Sequence, residues 1–83
     1  METRIWKYGL PLDNPIVLDL PEGAVILGVV DNRGPTLYAR VDRTAPLERV
    51  RLFVSRTGHP LARDRYIDTV IIDDRAYHYF EIC

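Results

Sequence analysis

Apolar and polar positions alternate two by two along most of this chain. Leu37, Ala39 and Val41 alternate with Tyr38, Arg40 and Asp42, and Val50, Leu52 and Val54 alternate with Arg51, Phe53 and Ser55. Successive side chains of a strand point to opposite faces, so this period builds a sheet with one apolar face. Turn residues interrupt it at short intervals. The fold class expected is all-β: about seven short strands in a compact sandwich or half-open barrel.

The strands read as Thr3 to Tyr8, Ile16 to Leu20, Ala24 to Val30, Thr36 to Asp42, Glu48 to Ser55, Tyr66 to Ile72 and Ala76 to Ile82. Ala24 to Val30 is apolar on both faces, which predicts a central strand. Leu20-Pro21-Glu22-Gly23 has proline and glycine at the second and fourth positions of a type I turn. Asn32-Arg33-Gly34 reads as a hairpin loop, with glycine suited to a left-handed residue. Asp73 and Asp74 sit at the tip of the last hairpin, where adjacent acids set turn geometry more readily than they form an acid/base pair. Arg43 to Glu48 is a connector, with Pro46 placed to start one helical turn. Arg56 to Arg65 is a long loop.

Composition changes this picture little. One domain, 1–83, is expected, and its 47% apolar content is that of a folded chain. A chain of this size has a thin core, which makes a homo-oligomer an expected source of extra stability. The net charge of −1 gives no global attraction to nucleic acid or an anionic membrane, so anion binding has to come from a local cluster. The single cysteine, Cys83, has no partner for a disulfide within the chain. Neither a signal peptide nor a membrane-length apolar run is visible, and a cytoplasmic location is expected.

The local cluster is the long loop. Arg56, Arg63 and Arg65 lie within ten residues, with Thr57, Gly58 and His59 near the start and Asp64 the one opposing charge. Guanidinium forks match phosphate and carboxylate oxygens in paired hydrogen bonds, and glycine lets backbone N–H groups approach a ligand. The set Arg56, Thr57, Gly58, His59, Arg63 and Arg65 is the expected ligand site, for a phosphorylated or nucleotide-like small molecule. The plain alternative is a solvated charged loop.

A second feature is an aromatic stripe. In the expected register Tyr38, Phe53, Tyr77 and Tyr79 point outward with Arg40 and Arg51, while Leu37, Leu52, His78 and Phe80 point to the core. Tyrosine and arginine anchor protein interfaces and also stack on bases. His78 reads as a hydrogen-bonded core residue. No catalytic constellation, metal site or cofactor motif is expected: His59 and His78 lack further ligands, and Ser55 near His59 resembles no oriented triad.

Ile5-Trp6-Lys7-Tyr8, Leu20-Pro21-Glu22-Gly23-Ala24-Val25-Ile26-Leu27 and Thr57-Gly58-His59-Pro60, in this order, resemble a family of short proteins of unknown function encoded by bacteriophages and bacteria. The resemblance extends to the closing strand Tyr77 to Glu81 and implies a context rather than an activity, since the family brings no catalytic residue with it. The function expected is binding of an anionic small molecule without turnover. The alternative is an interaction module or inhibitor of a host protein that uses the aromatic stripe, and a small hydrolase or nuclease ranks third.

Overall fold

The computed structural model describes residues 2–59 and 64–82. It contains seven strands: β1 (Thr3–Gly9), β2 (Ile16–Pro21), β3 (Val25–Asp31), β4 (Pro35–Asp42), β5 (Leu47–Arg56), β6 (Asp64–Ile72) and β7 (Arg75–Ile82). They form two antiparallel sheets, one ordered β1-β4-β3 and the other β2-β5-β7-β6. The arrangement is an open sandwich, 41 × 27 × 16 Å along its principal axes. Its core lies where Val29, Leu37, Ala39 and Val41 of the three-stranded sheet meet Ile16, Leu52, Val54, Val70 and Tyr79 of the other.

The seven expected strands are all present, with ends moved by one or two residues. The connector from Arg43 forms a turn closed by Ala45 N–H on the Asp42 carbonyl, at 3.0 Å, and contains no helix. The tight turns follow local chemistry. Asp73 and Asp74 both have positive φ, 50° and 63°, as the two-residue turn between the paired Ile72 and Arg75 requires. The turn after β2 sits one residue later than expected. Ala24 N–H donates to the Pro21 carbonyl at 3.1 Å, and Gly23, with φ 80°, occupies the third position. This is the position where a type II turn needs glycine.

Two orientations differ from the expected ones. β3 is an edge strand, with Val25, Leu27 and Val30 44%, 53% and 50% exposed, and β4 takes the centre of its sheet. A bulge between Ile26 and Gly28 explains the misleading run of apolar residues. Leu27 is the extra residue, so side-chain parity shifts within the strand and the alternation is lost from the sequence.

The second correction is on β7. Tyr77 and Tyr79 face the core, because Tyr79 pairs with the buried Val54. Tyr79 has no exposed surface, and its hydroxyl donates to the Pro11 carbonyl at 2.8 Å. A tyrosine is stable in a core when its hydroxyl finds such a partner. Burial, followed by the neighbouring Tyr77, pushes the Tyr79 phenol up to about 12. His78 and Phe80 consequently face outward.

The sheets also meet edge to edge. Where β3 approaches β6, no ladder forms. Instead, Asp68 on β6 accepts the Val29 N–H at 3.0 Å through Oδ2. A second bulge, between Tyr66 and Asp68, turns this carboxylate toward β3. Gly28 makes the approach feasible, since a Cβ there would lie 2.9 Å from Asp68 Oδ2.

Candidate functional site

The beginning of the arginine-rich segment forms a tight turn at one end of the four-stranded sheet. His59 N–H donates to the Arg56 carbonyl at 3.1 Å, and Gly58 holds the third position with φ 88°. That positive φ is what a type II turn demands of its third residue. The Arg56 guanidinium lies over the Tyr77 ring, 5.1 Å from the ring centre, which fixes its side chain by a cation–π contact.

A chain of hydroxyls runs from this turn through an imidazole. Thr57 Oγ1 is 2.7 Å from His78 Nε2, His78 Nδ1 is 2.8 Å from Thr69 Oγ1, and Thr69 Oγ1 is 2.6 Å from the Tyr66 hydroxyl. The ladder places these residues together. His78 pairs with Ser55 on one side and Thr69 on the other, so all three share the outer face. Beside them a cavity of about 220 Å³ is lined by Arg56, Thr57, Gly58, His59 and His78, with Ser55 and Phe80 completing it. No described carboxylate reaches this lining.

On the opposite side of Arg56 and His59 a wider cleft, about 560 Å³, opens toward Leu12, Asp13 and Asn14. Asn14 holds the wall of this cleft by pairing with the Val54 backbone. Its Nδ2 donates to the Val54 carbonyl at 2.8 Å, and its Oδ1 accepts the Val54 N–H at 2.9 Å.

The structure redistributes the residues expected at the site. Arg56, Thr57, Gly58 and His59 are brought together. Arg65 is not with them. β6 begins at Asp64, so Arg65 belongs to a strand rather than to the loop, and the ladder sets its direction. It pairs with Glu81, four residues along β7 from the Tyr77 that pairs with Arg56, or about 13 Å. There it lines a different groove, of about 320 Å³, with Ile26, Leu27 and Tyr66. Arg63 lies outside the described residues. His78, expected in the core, takes a place at the site instead.

The four-residue aromatic stripe is likewise taken apart. Tyr38 lies on the three-stranded sheet, where its hydroxyl is 3.1 Å from Asn32 Nδ2. Tyr77 and Tyr79 are buried. Phe53 alone stays on the outer face of the four-stranded sheet, and there it joins Phe80 and Tyr66. Its ring centre is 6.4 Å from that of Phe80, which meets Tyr66 edge-on at 5.6 Å. Among the described residues, no three His, Cys, Asp or Glu side chains gather as metal ligands would.

Seven antiparallel strands in a three-plus-four open arrangement define a small all-β domain. The chain belongs to DUF7352, a family described as a domain of unknown function, whose model matches residues 1–82. No curated protein and no solved structure matches it.

Proposed function

We propose that this protein binds a small anionic molecule, phosphorylated or nucleotide-like, at the Arg56–His59 turn and does not turn it over. The observation that carries this reading is the make-up of the 220 Å³ cavity, which is lined by Arg56, Thr57, His59 and His78 and by no described carboxylate. In a type II turn the N–H of the third residue is left free, so Gly58 adds a backbone donor. The ligand set is Arg56, Thr57, Gly58, His59 and His78, with the Phe80 ring beside it as an apolar wall.

Turnover is left out for a geometric reason. Thr57 and His78 stand at the separation of a nucleophile and its base. The group on the far nitrogen of His78, however, is the neutral Thr69 hydroxyl. A base that must become a cation in the transition state is served by a carboxylate there, and none of the described carboxylates is in place.

Calorimetric titration with inorganic phosphate and nucleoside monophosphates at low salt tests the proposal. Binding is expected, and Arg56→Ala should weaken it by about 1.5–3 kcal/mol, the range for a hydrogen bond to a charged group. Arg40→Ala, on the other sheet, should leave it unchanged. The absence of heat and of any melting shift across the whole series would overturn the reading.

A further inference from the structure

We infer that the outer face of the four-stranded sheet is a track for single-stranded nucleic acid, of which the turn site is one end. This inference rests on the anion-binding reading and extends it from a monomer to a polymer.

The middle of the face is aromatic. The ladder aligns Phe53, Phe80 and Tyr66 in one row across β5, β7 and β6. Tyr66 is 55% exposed and Phe53 half-buried, with Phe80 packed between them. Aromatic rings offered on a sheet surface stack on unpaired bases irrespective of sequence.

The end away from the turn is cationic. Arg49 and Arg51 both point to this face, and neither forms an ion pair or side-chain hydrogen bond among the described residues. Two adjacent, uncommitted guanidinium groups repel each other and favour an anion between them. They flank a cavity of about 300 Å³ walled by Pro15, Val17, Phe53 and Ile82. Flat apolar walls with guanidinium groups at the rim suit a base and its phosphate. Asp19 lies across the ladder from Arg49, and Glu48 and Glu81 line a separate groove with both arginines.

Along β5 the outward side chains run Arg49, Arg51, Phe53, Ser55 and then Thr57 in the turn, spanning about 26 Å. Two guanidinium groups therefore stand at one end of an aromatic floor, and the Thr57–His78 pair stands at the other. The occupant favoured is an extended single strand rather than a duplex, because a flat sheet cannot reach bases that are stacked inside a helix.

Fluorescence anisotropy with labelled oligo(dT) and oligo(U) of eight nucleotides, and with a labelled duplex, tests the track. Single strands should bind at least tenfold more tightly than the duplex. If Arg49 and Arg51 each neutralise a phosphate, the logarithm of Kd should rise with the logarithm of salt with a slope of about 1.4. Phe53→Leu should cost about tenfold or more through lost stacking. Arg49→Ala/Arg51→Ala should weaken the oligonucleotide while leaving the melting temperature and nucleoside monophosphate binding unchanged, because these side chains have no structural partners. Monophosphate binding without tighter oligonucleotide binding would overturn the track and leave the turn site standing. Equal affinity for duplex and single strand, or sedimentation showing this face buried between two copies, would also overturn it.

Discussion

Removing one carboxylate should unfasten the seam between the two sheets. Asp68→Ala deletes the acceptor of the Val29 N–H, at 3.0 Å, and of the Thr69 N–H, at 2.9 Å. Val29 is 2% exposed, so its N–H has little water to turn to. A hydrogen bond to a charged group contributes about 1.5–3 kcal/mol, and an orphaned buried donor costs a similar amount. The expected loss is about 2 kcal/mol, or roughly 8–16 °C in melting temperature for a domain of this size. Asp68→Asn keeps an oxygen facing Val29 and should lose about half as much.

Gly28 supplies the internal control for this seam. Gly28→Ala in the native background drives a Cβ to 2.9 Å from Asp68 Oδ2, so it should be destabilising. With Asp68→Ala already present, the clash is gone and the same glycine change should cost less. The two losses should therefore fall short of additivity by at least about 0.5 kcal/mol, as expected for residues in contact. Urea denaturation of the four proteins gives the cycle, and amide hydrogen exchange reports Val29 directly. If Asp68→Ala stayed within about 0.5 kcal/mol of the native protein with Val29 still protected, or if the glycine cost were equal in both backgrounds, the seam argument would fail. β6 carries Tyr66 and Thr69, so loosening this edge should also slacken the site.

Two tyrosines make a matched comparison: Tyr79→Phe should cost about 0.5–1.5 kcal/mol by losing the bond to Pro11, whereas Tyr8→Phe should be neutral or stabilising because the Tyr8 hydroxyl is buried without a partner. The folded Tyr79 phenol ionises at about 12 against an ordinary 10, so the unfolded chain releases this proton first; its contribution to stability is intact below pH 10 and is lost as pH rises toward 12. Ultraviolet titration should show one late-ionising tyrosine that is missing in Tyr79→Phe. Asp42 has the opposite sign: hydrogen bonds from the Thr44 hydroxyl first, then from the Glu2 and Thr44 amides, hold its carboxyl at about 2. Stability linked to it is present above pH 4 and is lost as pH falls toward 2, and acid unfolding curves of Asp42→Asn should lack this component.

The fold was legible because strand parity is written in single residues. In β4 apolar residues alternate with Tyr38, Arg40 and Asp42, in β5 they alternate with Arg51 and Ser55 except at Phe53, and turn residues end each run. Parity fails where both choices are apolar. Tyr77-His78-Tyr79-Phe80 fits either face by hydrophobicity alone, and what decides it is the Pro11 carbonyl, 68 residues away, which satisfies the Tyr79 hydroxyl. β3 misleads for another reason. Its bulge at Leu27 is paired with the Asp68 contact across the seam, and neither residue announces the other in sequence.

The candidate site was legible only in its local part. Arg56 to His59 stay together because a four-residue turn is defined by neighbours, and Gly58 marks it. Arg65 appeared equivalent to Arg56 when the segment was read as one loop, but two residues of additional strand place it about 13 Å along the sheet. His78 could not be assigned to the site until the parity of β7 was known, since the same one-residue decision sends both tyrosines inward and the imidazole outward. That decision also assembles the row Phe53, Phe80 and Tyr66 and turns it toward the same face as Arg49 and Arg51. One buried hydroxyl therefore governs the chemistry of the opposite surface. The tyrosine that anchors the core orients β7 so that its alternate residues, His78 and Phe80, become the histidine and the aromatic floor of the proposed site.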